Sequence, residues 1–219
     1  GDGVLGRWRC AYTPTMTVRP ETLRIVRYPA GVLRERAVAI GLVDDEVRAV
    51  AARMVDLMCE AEGIGLAAPQ VGLPWRLFVA HVPEDPEGDA ERSASSDPAT
   101  ATLEPMVCIN PELSAYTRDL EPFDEGCLSL PGVSGEVRRP SGVTLRAVGL
   151  DGEPFEVRGA GLLARCWQHE ADHLDGVLIL DKFTPRSRLR NRSVVKELEA
   201  NAIDAPRPGD RRASGAKLR

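Results

Sequence analysis

Gln168-His169-Glu170-Ala171-Asp172-His173 carries two of the three histidines in a chain of 219 residues. On a helix, His169 and His173 lie one turn apart on the same face, with Cβ atoms about 5–6 Å apart, so both imidazoles can reach one metal ion. Glu170 then projects beside them, close to a water on that metal rather than onto the metal itself. This is the H-E-x-x-H spacing, two ligands plus a general base. The plainer alternative is a pair of surface histidines beside an ordinary glutamate. Leu162, Leu163, Cys166 and Trp167 run into the motif and predict a helix over residues 161–175.

A catalytic metal site keeps three protein ligands and one open position, so a third ligand is needed. The extended form H-E-x-x-H-x-x-G-x-x-H is closed, because Gly176 fits the glycine but Ile179 stands at the last position. A glutamate on a later helix is a second solution, yet nothing around Glu197 or Glu199 carries that design. His81 lies in an apolar run at 76–82 and reads as structural or solvent-facing. Cys127 is the better candidate. It sits in Asp124-Glu125-Gly126-Cys127-Leu128-Ser129, where glycine lets the backbone approach closely and a thiolate suits a divalent ion. Cys10, Cys59, Cys108 and Cys166 read as buried structural cysteines. Upstream, Gly63-Ile64-Gly65-Leu66-Ala67-Ala68-Pro69-Gln70 is small enough to line a narrow cleft, and the Gln70 amide can donate to an anion formed during a reaction.

Working outward, Val47, Val50, Ala51, Met54, Leu57 and Met58 make an i, i+3, i+4, i+7 stripe, with Asp44 as N-cap and Gly63 as stop. Strands are predicted at 76–82, 106–110, 143–150 and 155–158, the last two joined at Asp151-Gly152, a dipeptide that favours a tight hairpin. Residues 83–105 are rich in Pro, Ser, Ala and acids and read as a flexible surface insertion. A last helix is expected over 187–201. The fold class that follows is α+β. Antiparallel sheets pack around the central metal-binding helix, with one helix before it in the chain and one after. A catalytic domain is expected over 21–202, with a 1–20 extension and a Pro/Gly-rich basic tail at 203–219.

Net charge is −5 and the pI about 5.4, which gives no global basic field for DNA or anionic lipid. No stretch approaches the roughly 18 apolar residues of a membrane span. Five cysteines without a C-x-x-C pair argue for a reducing compartment. The N-terminal residues lack a secretory-signal layout.

GIGLAAPQ (63–70), EGCLS (125–129) and QHEADH (168–173) resemble, in order, the three signature motifs of the peptide deformylase family. The likeness runs from about Leu23 to Arg190. It implies Cys127, His169 and His173 as metal ligands, Glu170 as general acid/base, and Gln70 with the Leu128 backbone N–H as oxyanion donors. Gly63, Ile64, Gly65, Glu125, Gly126 and Leu162 would shape the substrate pocket. The implied reaction is hydrolysis of the N-formyl group of formylmethionyl nascent polypeptides by metal-activated water. The implied cofactor is one divalent ion, Fe²⁺ physiologically, with Zn²⁺, Ni²⁺ or Co²⁺ as substitutes. The implied location is the bacterial cytoplasm, an organellar matrix being the alternative.

Two features depart from the family pattern. Many relatives carry an arginine a few residues after the cysteine motif; here Leu130-Pro131-Gly132-Val133-Ser134-Gly135-Glu136 intervenes before Arg138 and Arg139. Arg165 stands where an apolar residue is expected beside the pocket, as in the organelle-type branch, and would either narrow side-chain tolerance or face outward. The basic tail (Arg207, Arg211, Arg212, Lys217, Arg219) is a candidate ribosome contact. The rival readings are a general H-E-x-x-H metallopeptidase, which needs no Cys127, and a non-catalytic metal-binding domain, which needs neither Glu170 nor Gln70.

Overall fold

The computed structural model describes residues 18–84 and 92–204. The expected extension at 1–20 therefore lies outside the described residues up to 17, and the tail at 203–219 lies outside them from 205 onward. The first helix, α1 (Asp45–Glu60), begins where a cap was expected, with the Asp44 carboxylate accepting the Val47 N–H at 2.9 Å. It stops earlier than Gly63. Glu62 rather than the glycine takes the left-handed conformation, with φ 53°.

Five strands form one antiparallel sheet in the order β1 (Gly65–Ala67), β2 (Leu77–Ala80), β3 (Met106–Ser114), β6 (Gly142–Val148) and β7 (Pro154–Ala160). β3 runs past the predicted end at 110 through a register shift. There Asn110 has φ 50°, and its side chain accepts from Ile40 N–H and donates to Ile40 C=O. The β6–β7 hairpin is present, with Gly152 at φ 86°, and its loop is wider than a two-residue turn.

Alternation along β2 explains the layering. Phe78 and Ala80 face one apolar cluster with Trp167, Leu163 and Leu174 of α2 (Gly161–Leu174). Leu77 and Val79 face another with Val50, Met54 and Met58 of α1. The sheet's first strands are thus sandwiched between α1 and the motif helix. Trp167 has no exposure, and its ring lies so close over Gly159 that no side chain could stand there.

α2 ends in a Schellman motif: Gly176 N–H bonds His173 C=O, and Val177 N–H bonds Asp172 C=O. Gly176, with φ 73°, is therefore a helix stop. A short α3 (Ile179–Lys182) follows, then α4 (Pro185–Asp204).

The sequence reading missed a two-stranded antiparallel ribbon, β4 (Leu120–Gly126) and β5 (Ser134–Pro140). Of the segment read as a flexible insertion, residues 85–91 lie outside the described residues, while much of 92–105 is pinned. Ala99 bridges Gly159 on β7, Thr102 N–H bonds Val82 C=O, and Ala99, Ala101 and Thr102 are buried. Among the described residues no helix is long and apolar enough to cross a membrane.

Candidate metal centre

α2 projects His169 and His173 from one face, their ring centroids 5.0 Å apart. Cys127 lies just past the end of β4, and its sulfur is 3.2 Å from His173 Nε2. Ligand atoms of Cys127, His169 and His173 all fall within 4.8 Å of one another, so a sulfur and two imidazoles from chain segments 46 residues apart converge on one point. That donor set fits a divalent metal of borderline softness.

The surroundings point the donors. His169 Nδ1 lies 3.2 Å from Glu125 Oε2; with Nδ1–H donating there, Nε2 is left to bind a metal. Glu125 is itself nine-tenths buried and held by Arg139 through two bonds, at 2.7 and 2.9 Å, and by Arg165 at 2.8 Å. Arg139 continues to Asp172 at 2.7 Å. Burial works to raise the Glu125 pKa, but the bonds from His169 and Arg139 outweigh it and hold the carboxyl well below its ordinary range. Burial likewise opposes the His169 cation. The Cys127 sulfur and the Glu125 carboxylate overcome that effect and lift its pKa to about 10. For His173, burial dominates and pushes the pKa well below the usual value.

Glu170 is buried beside the ligands, and burial raises its pKa to about 7, with His169 and Arg139 pulling the other way. Its Oε2 is buried without a hydrogen-bond partner among the described residues. Gln70 is buried too. Its Oε1 accepts the Ala67 N–H at 2.7 Å, which fixes the amide orientation and turns Nε2 toward Cys127 Sγ (3.6 Å) and Ser129 Oγ (3.4 Å). Gly65 is required by closeness: a Cβ there would run into the Glu170 carboxylate and stand 2.9 Å from Cys166 Sγ.

A cleft of about 530 Å³ opens over these groups. Gly63, Ile64, Gly65, Gln70, Glu125, Gly126, Cys127, Leu128, Leu162, His169 and Glu170, all read from sequence as site residues, line it. His173, 1% exposed, supports the centre from beneath. His81 is structural, its Nδ1 2.9 Å from Thr102 Oγ1.

The reading of the other cysteines as buried needs one correction, at Cys59, and Cys166 is buried as expected though it borders the cleft. Cys59 is exposed, because it falls off the buried face of α1, and Cys166 donates its thiol to Ile64 C=O at 3.2 Å. The four described cysteines are free thiols. Arg165 does not face outward: it is 7% exposed and lines the cleft.

Sequence reasoning missed Phe123, Ser129, Arg139 and Asp172. For two of them a signal existed. Asp172 stands inside the histidine motif, and Arg139 shares the inward face of β5 with Val137 at a spacing of two.

Comparison with known proteins agrees with this geometry. Residues 22–189 match the family model described as polypeptide deformylase. A peptide deformylase of Prochlorococcus marinus is 42% identical over 177 residues, covering 80% of each chain. One from Azotobacter vinelandii is 44% identical over 177 residues, covering 81% of this chain and 94% of its own. Among solved structures, Arabidopsis thaliana peptide deformylase 1B superposes with a TM-score of 0.71 at 36% identity, over 85% of this chain and 97% of that one. The Ehrlichia chaffeensis peptide deformylase gives a TM-score of 0.72 at 28% identity, over 83% and 97%. The chain belongs to the polypeptide deformylase family.

Proposed function

We propose that this protein removes the N-formyl group from the formylmethionine of nascent polypeptides, releasing formate, with a divalent metal held by Cys127, His169 and His173. The observation that carries the reading is the convergence of those three donors beside a buried Glu170 and an oriented Gln70 amide. Held by Cys127, His169 and His173, a divalent ion would supply Lewis acidity and, in zinc systems, would lower the pKa of water toward about 7.

The protein's own groups do the rest. The cleft receives the formylated terminus. Gln70 Nε2 and the Leu128 backbone N–H donate to the carbonyl oxygen as negative charge develops on it; one such donor is worth roughly 3–4 kcal/mol. Glu170, poised near neutrality, takes the proton of the attacking water and returns it to the departing amine. Gly63, Ile64, Gly65, Glu125, Gly126 and Leu162 form the substrate pocket.

The thiolate lowers the net positive charge of the site; the family resemblance supports Fe²⁺ as the physiological ion, selected by metal supply because Fe²⁺ binds more weakly than the substitutes Zn²⁺, Ni²⁺ or Co²⁺. Residues 21–202 form the catalytic domain, working in the bacterial cytoplasm, with the 203–219 tail touching ribosomal RNA. Salt-sensitive ribosome co-sedimentation that disappears on deleting 203–219 supports the tail contact; co-sedimentation unchanged by the deletion removes it.

The test of function is formate release from formyl-Met-Ala-Ser. Wild type releases formate, and Glu170→Gln and Cys127→Ala both lose at least about 100-fold in rate. Cleavage of internal peptide bonds without formate release, or full activity in Cys127→Ala, contradicts the reading. Anaerobic Fe²⁺ loading exceeds aerobic Zn²⁺ loading in activity; equal activities overturn the iron assignment.

A further inference from the structure

Asp172 stands inside the histidine motif, three residues after His169, and the chemistry proposed above leaves it unused. It is not among the described residues that line the cleft. Its carboxylate reaches two neighbouring elements instead. Oδ2 accepts from Arg139 Nη1 of β5 at 2.7 Å, and Oδ1 lies 3.3 Å from Lys182 Nζ of α3.

Arg139 is bracketed by two carboxylates. Its Nε and Nη2 donate to the two oxygens of Glu125, and its Nη1 donates to Asp172. Arg165 donates to Glu125 Oε1 as well, while Glu125 Oε2 faces His169 Nδ1 at 3.2 Å. The side chains of Arg139, Arg165 and Glu125 are each less than a tenth exposed. Two enclosed guanidiniums are thus balanced by two carboxylates, and Asp172 is one of the two. Lys182, with its side chain 43% exposed, meets water and adds little to that balance.

Resting on the reading of Cys127, His169 and His173 as metal ligands, we propose that Asp172 is a positioning residue of the metal centre. Through Arg139 it completes the charge balance around Glu125, and so sets how tightly the divalent ion is held. Without its charge, two guanidiniums would share the one carboxylate that also orients His169. The surplus positive charge, poorly screened in the interior, would oppose a dication at the neighbouring donors. An Arg139 held on one side only would also be free to swing and carry Glu125 with it, loosening the aim of His169. Both effects weaken the hold on the ion.

The experiment measures Co²⁺ and Zn²⁺ dissociation constants by competition with a chromophoric chelator, which needs no turnover. The proteins are wild type, Asp172→Asn, Lys182→Gln, Arg139→Gln and the double variant Asp172→Asn/Arg139→Gln. Asp172→Asn, which keeps the shape and removes the charge, weakens both metals about tenfold and shifts the visible bands of the bound cobalt. Lys182→Gln stays within about twofold of wild type, because its pair is open to solvent. The double variant binds metal as Arg139→Gln does, since Asp172 has nothing to act through once the guanidinium is gone.

Wild-type affinity in Asp172→Asn overturns the proposal by itself, whether or not the Arg139 variants fold. A loss in Lys182→Gln as large as in Asp172→Asn makes Asp172 a tether of α3 and overturns it too. Additive losses in the double variant overturn the route through Arg139. A wild type that binds neither metal brings down the metal reading, and this proposal with it; a wild type that binds both beside an equally tight Asp172→Asn brings down the proposal alone.

Discussion

β1 and β4 both border the cleft, and different forces hold them. β1 is buried along its whole length, sandwiched through β2 between α1 and α2, so hydrophobic packing fixes its position. β4 buries only Glu125; its other residues, including Leu120 and Phe123, are exposed. What ties β4 down is its ladder to β5 and the buried network of Glu125, Arg139, Arg165 and Asp172. The histidines stand on the packed side and the cysteine on the ribbon side. The candidate metal centre is therefore the junction of a hydrophobic half and an electrostatic half. Apolar packing is non-directional, whereas the network is directional and can aim His169 through Glu125.

The largest blow to the packed half is Trp167→Ala. It removes a fully buried ring and should lower unfolding free energy by about 3–5 kcal/mol, read from the urea midpoint. An effect below about 1 kcal/mol would mean that α2 is not seated by its apolar face.

Glu125→Gln strikes the other half. Two guanidiniums and an imidazole lose their shared carboxylate, so stability falls by about 3 kcal/mol and metal affinity by roughly 10–100-fold. Trp167→Ala should disturb metal affinity much less in whatever fraction stays folded. Equal metal loss in both variants would erase the distinction between the halves.

Acid separates the halves without mutation. The Glu125 carboxyl is held below its unfolded value of 4.5, so its stabilisation is fully present above that pH and is lost as pH falls toward the depressed folded value. In chelator-treated protein the Tm advantage of wild type over Glu125→Gln should shrink steadily below about pH 4.5. His169 titrates far higher and stays constant across this window. An advantage that grew in acid would contradict the ion network.

The smallest effect belongs to the half-exposed Arg34–Asp181 pair, which joins the chain before α1 to α3. Arg34→Gln should cost about 0.2–1 kcal/mol and vanish in high salt.

The packed half was legible in the sequence because burial leaves a period. The α1 stripe, its Asp44 cap and the H-E-x-x-H turn followed from spacing and the β6–β7 hairpin from its Asp151-Gly152 turn, whereas β1, buried at every position, was not read as a strand. The ribbon was not legible, since β4 faces solvent at nearly every position and carries no apolar alternation. Arg165 was legible as a residue beside the pocket, but the burial of Arg139 and Arg165 was not, because a charged side chain is buried only when a partner from elsewhere in the chain meets it. For Arg165 that partner is Glu125, 40 residues away. The candidate donors Cys127, His169 and His173, which the structure brings together, were legible because chemistry restricts ligand types. Phe123 was not, because it is an exposed residue of the ribbon whose contact is with a guanidinium from a different element.

The central claim is that the two halves meet in one metal ion. Metal analysis with the absorption spectrum of Co²⁺-loaded protein tests it most directly. Wild type should hold close to one ion per chain with a sulfur-to-cobalt charge-transfer band. Glu170→Gln should keep both ion and band, and Cys127→Ala should lose the band and most of the ion. A full equivalent of metal in Cys127→Ala, or cobalt-loaded wild type without the band, would contradict the account.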